Sequence, residues 1–195
     1  IYSMHYRLLL GSKSPRRREL LAGLNFDFTP VDIETDECYP SYLSGRDIPL
    51  YLARAKARAY CDKLQDGDVL ITSDTIVWCN NQVLGKPVDY ADAVQMLQML
   101  SGSTHEVFTG VCITRALIDE RTGEIETEQT HAFVDATKVT FRTLEIAEID
   151  YYIHHYAPYD KAGAYGIQEW IGYIGVEKIE GSFYNVMGFP IERVY

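Results

Sequence analysis

The chain predicts an α/β protein with a mixed β-sheet, and three observations carry that prediction. Strand-like and helix-like periodicities alternate through its first half. Two longer extended runs, "HEVFTGVCITRAL" and "AFVDATKVTFRT", meet at the polar turn "DERTGE" and read as a long hairpin. No repeat, low-complexity tract or linker interrupts the 195 residues. The reading is therefore one domain over 1–195, built as two lobes.

Taken in order, Tyr6–Leu10 is an apolar strand and Pro15–Leu24 a helix. Ser14 is a good N-cap, and Pro15 lacks only a donor that the first helical position would leave orphaned. "FDFTPVDI" is extended, and Pro49–Leu64 is a second helix with Ala53, Ala57 and Tyr60 on one face. "DVLITSDTIVW" is an apolar strand broken at Ser73-Asp74-Thr75, with a hairpin through Asn80-Asn81 after it. Tyr90–Leu100 carries Ala93, Val94, Leu97 and Leu100 at helical spacing until Ser101-Gly102 stops it. Thr143 caps a helix through Tyr156, and "APYDKAGAYGIQEW" is a glycine-punctuated loop. "IGYIGVEKIEG" suggests a strand, and a last helix begins near Phe189-Pro190.

With 47% hydrophobic residues the chain can bury a real core, while a formal net charge of −10 rules out a fold-wide basic footprint. A nucleic-acid polymer is thus not an expected partner, and an anionic ligand must be held by a local cationic pocket. Cys38, Cys61, Cys79 and Cys112 are scattered, without C-x-x-C spacing. They argue against zinc or a disulfide framework and read as small buried apolar residues in a reducing compartment. No apolar run approaches the ~18–20 residues of a membrane span, and no signal-peptide pattern opens the chain. A soluble, cytoplasmic protein with no membrane partner is the expectation.

Chemistry concentrates in a few places. Arg16, Arg17 and Arg18 occupy the first turn of a helix whose N-terminus is already partly positive, a conflict of about 0.3–1 kcal/mol for each exposed charge. An anion resolves it: phosphate oxygens accept from the helix N–H groups, the Ser12 and Ser14 hydroxyls and arginine forks. Arg18 is the member most easily spent on a surface carboxylate such as Glu19, and Lys13 fits either class. Asp74 is a carboxylate within a core strand, placed to bind a metal or activate water beside phosphate, or else to cap a turn. Lys86 sits in the rigid turn "LGKP", and Arg54, Lys56 and Arg58 do not all share one helical face, so one of them can point inward. Gln168, in "DKAGAYGIQ", has an amide able to read a base edge. In "DIETDE", Asp36 or Glu37 could supply oxygen to a hard divalent cation.

These segments also carry a resemblance. "SKSPRRRELL", "LARAKA", "TSDTIV", "GKP", "LSGSTHEVFTGV", "DKAGAYGIQ" and "GSFYNVMGFPI" occur in the order of the Maf family of nucleoside triphosphate pyrophosphatases, across nearly the whole chain. That resemblance implies a Maf/inosine-triphosphatase-like α/β fold, an elongated mixed sheet flanked by helices with a central cleft. It implies hydrolysis of a nucleoside triphosphate to the monophosphate and diphosphate with a divalent cation, Mg²⁺ or Mn²⁺, commonly by a homodimer. "DKAGAYGIQ" resembles the dTTP/UTP branch. By position, Asp74 matches the proton acceptor, and Arg16, Thr75 and Gln168 match positions linked with pyrimidine preference. Ser12, Ser14, Arg17, Lys56 and Lys86 fall around the phosphates, Asp160 and Lys161 fall in the cleft, and Glu37 is favoured with Asp74 for the metal. The sequence departs from the family's usual loop in having Gly11 for alanine and Lys13 in the variable slot. A non-catalytic nucleotide-binding regulator of cell division, linked to septum formation, is the rival; a carboxylate facing a polyanion disfavours it.

Overall fold

A computed structural model describes residues 6–195. In chain order the described residues form β1 (Arg7–Gly11), α1 (Pro15–Ala22), β2 (Thr29–Val31), α2 (Asp47–Tyr60), β3 (Asp68–Cys79) and β4 (Gln82–Leu84). They continue as α3 (Tyr90–Leu100), β5 (Thr104–Ile118), β6 (Ile125–Phe141) and α4 (Ile146–Tyr156), then α5 (Trp170–Gly175), β7 (Val176–Glu180), α6 (Phe183–Met187) and α7 (Ile191–Val194). One seven-stranded sheet runs β2-β1-β3-β5-β6-β7, with β4 paired to β3. It is mixed as expected: β1 is parallel to β2 and β3, whereas β4 runs against β3 and β7 against β6. The chain packs as two compact units. The first runs to Asp74 and adds Gly110–Val134 and Ile191–Tyr195; the second is Thr75–Thr109 with Asp135–Pro190.

In the first unit, β1 pairs with β3 from Arg7 opposite Asp68 to Gly11 opposite Thr72. Arg7 makes a two-pronged contact with the Asp68 carboxylate, both N···O distances being 2.8 Å. That guanidinium holds the buried Asp68 carboxyl below its ordinary range against the opposing effect of burial. Helix α2 buries Ile48, Leu52, Ala53 and Ala57. It lies so close to β5 that a Cβ on Gly110 would stand 2.4 Å from the Pro49 carbonyl oxygen, which only glycine permits. The same approach lets Thr72 Oγ1 donate to the Ala53 carbonyl at 2.7 Å. Together these contacts fix the height of α2 over β3 and β5.

Helix α1 stops at Ala22, short of the Leu24 that apolar spacing suggested. Leu24 N donates to Leu21 O and Asn25 N to Ala22 O, and Asn25 takes a left-handed φ of 63°. Asparagine tolerates that conformation, so the last turn tightens and ends there. Strand β3 is not broken at Ser73-Asp74-Thr75 but continues from Asp68 to Cys79. Burial of Ser73 in the strand is sustained because its hydroxyl donates to the Gly110 carbonyl at 2.9 Å.

The second unit's core gathers Leu97 and Leu100 from α3, Val139 and Phe141 from β6, and Ile149, Tyr152 and Ile153 from α4. Its N-cap for α4 is Glu145, not Thr143: Glu145 and Glu148 form a reciprocal capping box, with Arg142 held on Glu148 at 2.6 Å. "IGYIG" begins as helix α5 rather than strand, with Ile171 and Gly175 buried one turn apart and Tyr173 exposed between them. Helix α6 went unpredicted; Ser182 caps it through Asn185 N at 3.3 Å, and Gly188 ends it at φ 114°. The four cysteines are free as expected, but Cys38 is exposed and Cys61 only half-buried, while Cys79 and Cys112 lie in the interior.

His105 is 1% exposed, with Nε2 2.6 Å from the Tyr165 hydroxyl and Nδ1 without a hydrogen-bond partner. Burial lowers its pKa from 6.5 to about 4. Between those two values the unfolded chain binds a proton at this site that the folded chain does not. Stability therefore rises with pH across that window and is fully present above pH 6.5. A fall of about 3 kcal/mol from pH 7 to pH 4 is expected from this group. Urea unfolding of wild type and His105→Gln across that range checks it: the variant should lose this component of the slope, and parallel curves would assign the acid sensitivity elsewhere.

Candidate active site

The first unit gathers two cations and two carboxylates around the Ser73 carbonyl. After β1, the loop Ser12–Ser14 enters α1, with Ser14 N donating to Ser12 Oγ at 3.1 Å and Ser14 Oγ accepting from Arg17 N at 3.4 Å. Both hydroxyl oxygens thus serve as acceptors for the loop and keep their own O–H groups for donation. Arg17 Nη1 reaches the Ser73 carbonyl at 3.4 Å, and Lys56 Nζ from the middle of α2 reaches the same oxygen at 3.2 Å. Lys56 Nζ also donates to Asp74 Oδ1 at 3.0 Å and lies 3.7 Å from Glu37 Oε1. The Lys56 and Asp74 side chains retain only 12% and 14% of their exposure, so little water screens the pair.

Burial pushes the Asp74 carboxyl upward, Lys56 and Arg17 pull it back, and Glu37 adds to the rise. Burial lowers the Arg17 guanidinium, with Asp74 opposing and the neighbouring Arg16 reinforcing that shift. Arginine nevertheless stays protonated. Arg17 and Lys56 thus meet at the Ser73 carbonyl, with the Asp74 and Glu37 carboxylates beside Lys56.

Other charges of the same segments are spent on structure. Arg18 Nε donates to Ser12 O at 3.0 Å, and its guanidinium lies 3.7 Å from Asp32, the carboxylate that takes the place expected of Glu19. Lys13 faces Glu34 in an exposed pair at 3.5 Å. Asp36 turns back to accept from Cys38 N at 3.1 Å. Glu37, in a left-handed conformation at φ 52°, is the member of the acidic run that meets Lys56.

The second unit holds the remaining candidates. Thr75 Oγ1 is 2.9 Å from Thr109 Oγ1 and donates to Gly188 O at 3.3 Å. Lys86 is exposed on its turn, which is anchored where Gly163 N donates to Gly85 O at 3.0 Å. Lys161 is paired with Asp160 at 3.0 Å and with Glu169 at 3.2 Å. Tyr152 donates to Glu169 at 3.2 Å and accepts from Gly166 N at 3.0 Å, tying the loop to α4. A Cβ on Gly166 would stand 2.4 Å from Glu169 Oε1 and 3.2 Å from Gln168 Nε2, so glycine makes room for both side chains. Gln168 Oε1 is buried without a hydrogen-bond partner.

Comparison with known proteins agrees with the motif order. The family model described as Maf-like protein matches residues 7–195. The chain belongs to the Maf family. A dTTP/UTP pyrophosphatase of Bacteroides thetaiotaomicron is 50% identical over 191 residues, covering 97% of this chain and 93% of its own. A dTTP/UTP pyrophosphatase of Porphyromonas gingivalis is 50% identical over 193 residues, with 97% and 92% covered. One from Flavobacterium psychrophilum is 46% identical over 189 residues, with 97% and 91% covered. A solved nucleoside-triphosphatase / dITP/XTP pyrophosphatase from Mycobacterium abscessus aligns over 71% of this chain and 75% of its own, at 15% identity and a TM-score of 0.36; that likeness is too loose to define the fold.

In this Maf chain the first unit thus brings together Ser12, Ser14, Arg17, Lys56, Asp74 and Glu37, with Arg16 beside Arg17. The second unit separately holds Thr75, Lys86, Asp160, Lys161 and Gln168. Sequence reasoning missed Glu169 and Tyr152, which hold Lys161 and Gly166, and it missed Thr109 beside Thr75. A carboxylate directly after Gln168 was a signal for the first; the hydroxyl of Thr109 in "FTGV" carried none until the strands were paired. Among the described residues no helix is long and apolar enough to cross a membrane.

Proposed function

We propose that this Maf protein hydrolyses dTTP and UTP, together with modified pyrimidine triphosphates, to the nucleoside monophosphate and diphosphate. The observation that carries the reading is the contact of Lys56 with Ser73 O and Asp74, with Arg17 on the same carbonyl. Asp74 is the proton acceptor for the attacking water. Arg16, Arg17 and Lys56, with the Ser12 and Ser14 hydroxyls, neutralise the phosphates around the α–β anhydride. As Lys56 turns from Asp74 to a phosphate oxygen, the carboxylate loses its strongest counter-charge and becomes a better base. Lys86 is assigned to phosphate, Asp160 and Lys161 to substrate contact, and Thr75, Gln168 and Arg16 to the base.

Asp74 and Glu37 both face the Lys56 ammonium, which supports assigning their carboxylates as the hard oxygen donors that would hold Mg²⁺ or Mn²⁺. Substrate phosphate oxygens would complete its coordination, as they commonly do for Mg²⁺. When bound, the cation supplies charge neutralisation at the phosphoryl oxygens. A homodimer acting as a single domain per chain on the cytoplasmic nucleotide pool completes the proposal. Pyrophosphate release measured over natural and modified triphosphates, with each cation, tests it. Turnover of UTP and dTTP above the purine triphosphates is expected, and no release from either pyrimidine would end the reading.

A further inference from the structure

We infer that Thr72 is a positioning residue for the reaction: its hydroxyl sets α2 along its axis so that the Lys56 ammonium is held at Asp74. The inference rests on the reading of Lys56 and Asp74 given above and adds the residue that brings them together. Thr72 acts through Lys56.

Helix α2 presents one stripe to β3 and β5. Pro49, Ala53 and Lys56 stand at i, i+4 and i+7, on one face of the helix. Each meets the strands at its own point. The Pro49 carbonyl lies over Gly110 of β5, close enough that a Cβ there would stand 2.4 Å from its oxygen. The Ala53 carbonyl accepts from Thr72 Oγ1 at 2.7 Å. Lys56 Nζ donates to Ser73 O at 3.2 Å and to Asp74 Oδ1 at 3.0 Å. Thr72 and Asp74 are two apart in β3 and so share a face of the strand. Three residues of helix advance about 4.5 Å and two residues of strand about 6.6 Å, a difference that a lysine side chain spans. The hydroxyl contact is therefore one step along both elements from the ammonium contact.

These contacts differ in what they restrain. A glycine surface limits how near α2 comes but does not stop it sliding. The Thr72 hydrogen bond is directional and weakens steeply off its axis, so it opposes sliding. Thr72 and Ala53 are fully buried, and water does not stand in for a lost hydroxyl there. The Cys112 carbonyl, 3.5 Å away, is a weaker acceptor for the same proton. The other branch of the side chain is fitted separately. Gly11 lies opposite Thr72 in the register of β1 and β3, and a Cβ on Gly11 would stand 3.1 Å from Thr72 Cγ2. The methyl thus packs against β1 while the hydroxyl serves α2, and the two can be removed one at a time.

Thr72→Val keeps the branch over Gly11 and loses the hydroxyl; Thr72→Ser does the reverse. The test is kcat and KM for pyrophosphate release from UTP, with thermal midpoints, in both variants and in each combined with Lys56→Gln. Thr72→Val should raise KM about tenfold, with the smaller effect on kcat. Thr72→Ser should keep the wild-type KM even as its thermal midpoint falls. In the Lys56→Gln background Thr72→Val should change KM by less than about twofold, because the group it positions is gone. Thr72→Ala takes the place of the valine variant should that one not fold. A wild-type KM in the hydroxyl-less variant, a serine variant with KM raised as far, or a tenfold rise that persists without Lys56 overturns the inference and leaves Thr72 a packing residue. A Lys56→Gln enzyme with wild-type KM, or a wild type that releases no pyrophosphate from UTP, fails the underlying reading instead, before any Thr72 variant is compared.

Discussion

Asp74→Asn lowers UTP turnover by about a thousandfold while the thermal midpoint moves by only a few degrees. The size follows from the role: removing a positioned proton acceptor typically costs on the order of 10²–10⁴ in rate. An amide keeps the shape and an oxygen for Lys56, now 3.0 Å from Asp74 Oδ1, but it cannot take the proton of the attacking water. The fold tolerates the change because desolvation already works against the charged carboxylate. Steady-state kinetics beside a melting curve distinguish the outcomes. Wild-type turnover in the variant would remove Asp74 from the chemistry, and a collapsed melting transition would make it a structural acid.

Lys56→Gln raises the KM for UTP by about a hundredfold and moves the acid limb of the rate profile to higher pH. The first effect is the loss of a charge-assisted phosphate contact of about 1.5–3 kcal/mol. The second follows from the charges around Asp74. Only the ionised carboxylate accepts a proton, so activity falls as pH drops through its pKa. Burial raises that pKa, and Lys56 is the largest influence pulling it down. Without the ammonium the carboxyl holds its proton to higher pH, and the limb shifts upward. A limb that stays in place would mean that the titrating group in the profile is not Asp74.

How far the site could be read from the chain depends on how local each signal is. The Ser14-Pro15 start of α1 and its three arginines form a conflict within one helical turn, visible without any tertiary knowledge. The structure resolves it residue by residue: Arg17 turns to the Ser73 carbonyl, while Arg18 turns to Ser12 O and Asp32. From the residues alone Lys56 was one of three cations on α2, and only the family resemblance singled it out. Its contact with Asp74 needs the close seating of α2, which Gly110 permits. In the acidic run the resemblance favoured Glu37, and the structure shows what each member faces: Glu34 meets Lys13, Asp36 turns back to Cys38 N and Glu37 meets Lys56.

Secondary structure failed where a long-range partner outweighed a local preference. Ser73-Asp74-Thr75 looked like a break, since three polar residues are costly in a buried strand. The strand survives because Ser73 finds Gly110 O, Asp74 finds Lys56 and Thr75 finds Thr109. Helix α6 is too short to show a periodicity, and its serine cap and glycine end are legible only afterwards.

By itself the sequence determined the mixed α/β class, the charge conflict at the start of α1 and the family, because each rests on neighbours along the chain or on the order of motifs. Tertiary structure alone decided how Lys56 meets both Asp74 and the Ser73 carbonyl, that Glu37 joins them, and that the Thr75 hydroxyl lies against that of Thr109. Those outcomes depend on burial and on distances of about 3 Å between residues far apart in the chain, where a charge or a hydroxyl acquires its chemistry from what it touches.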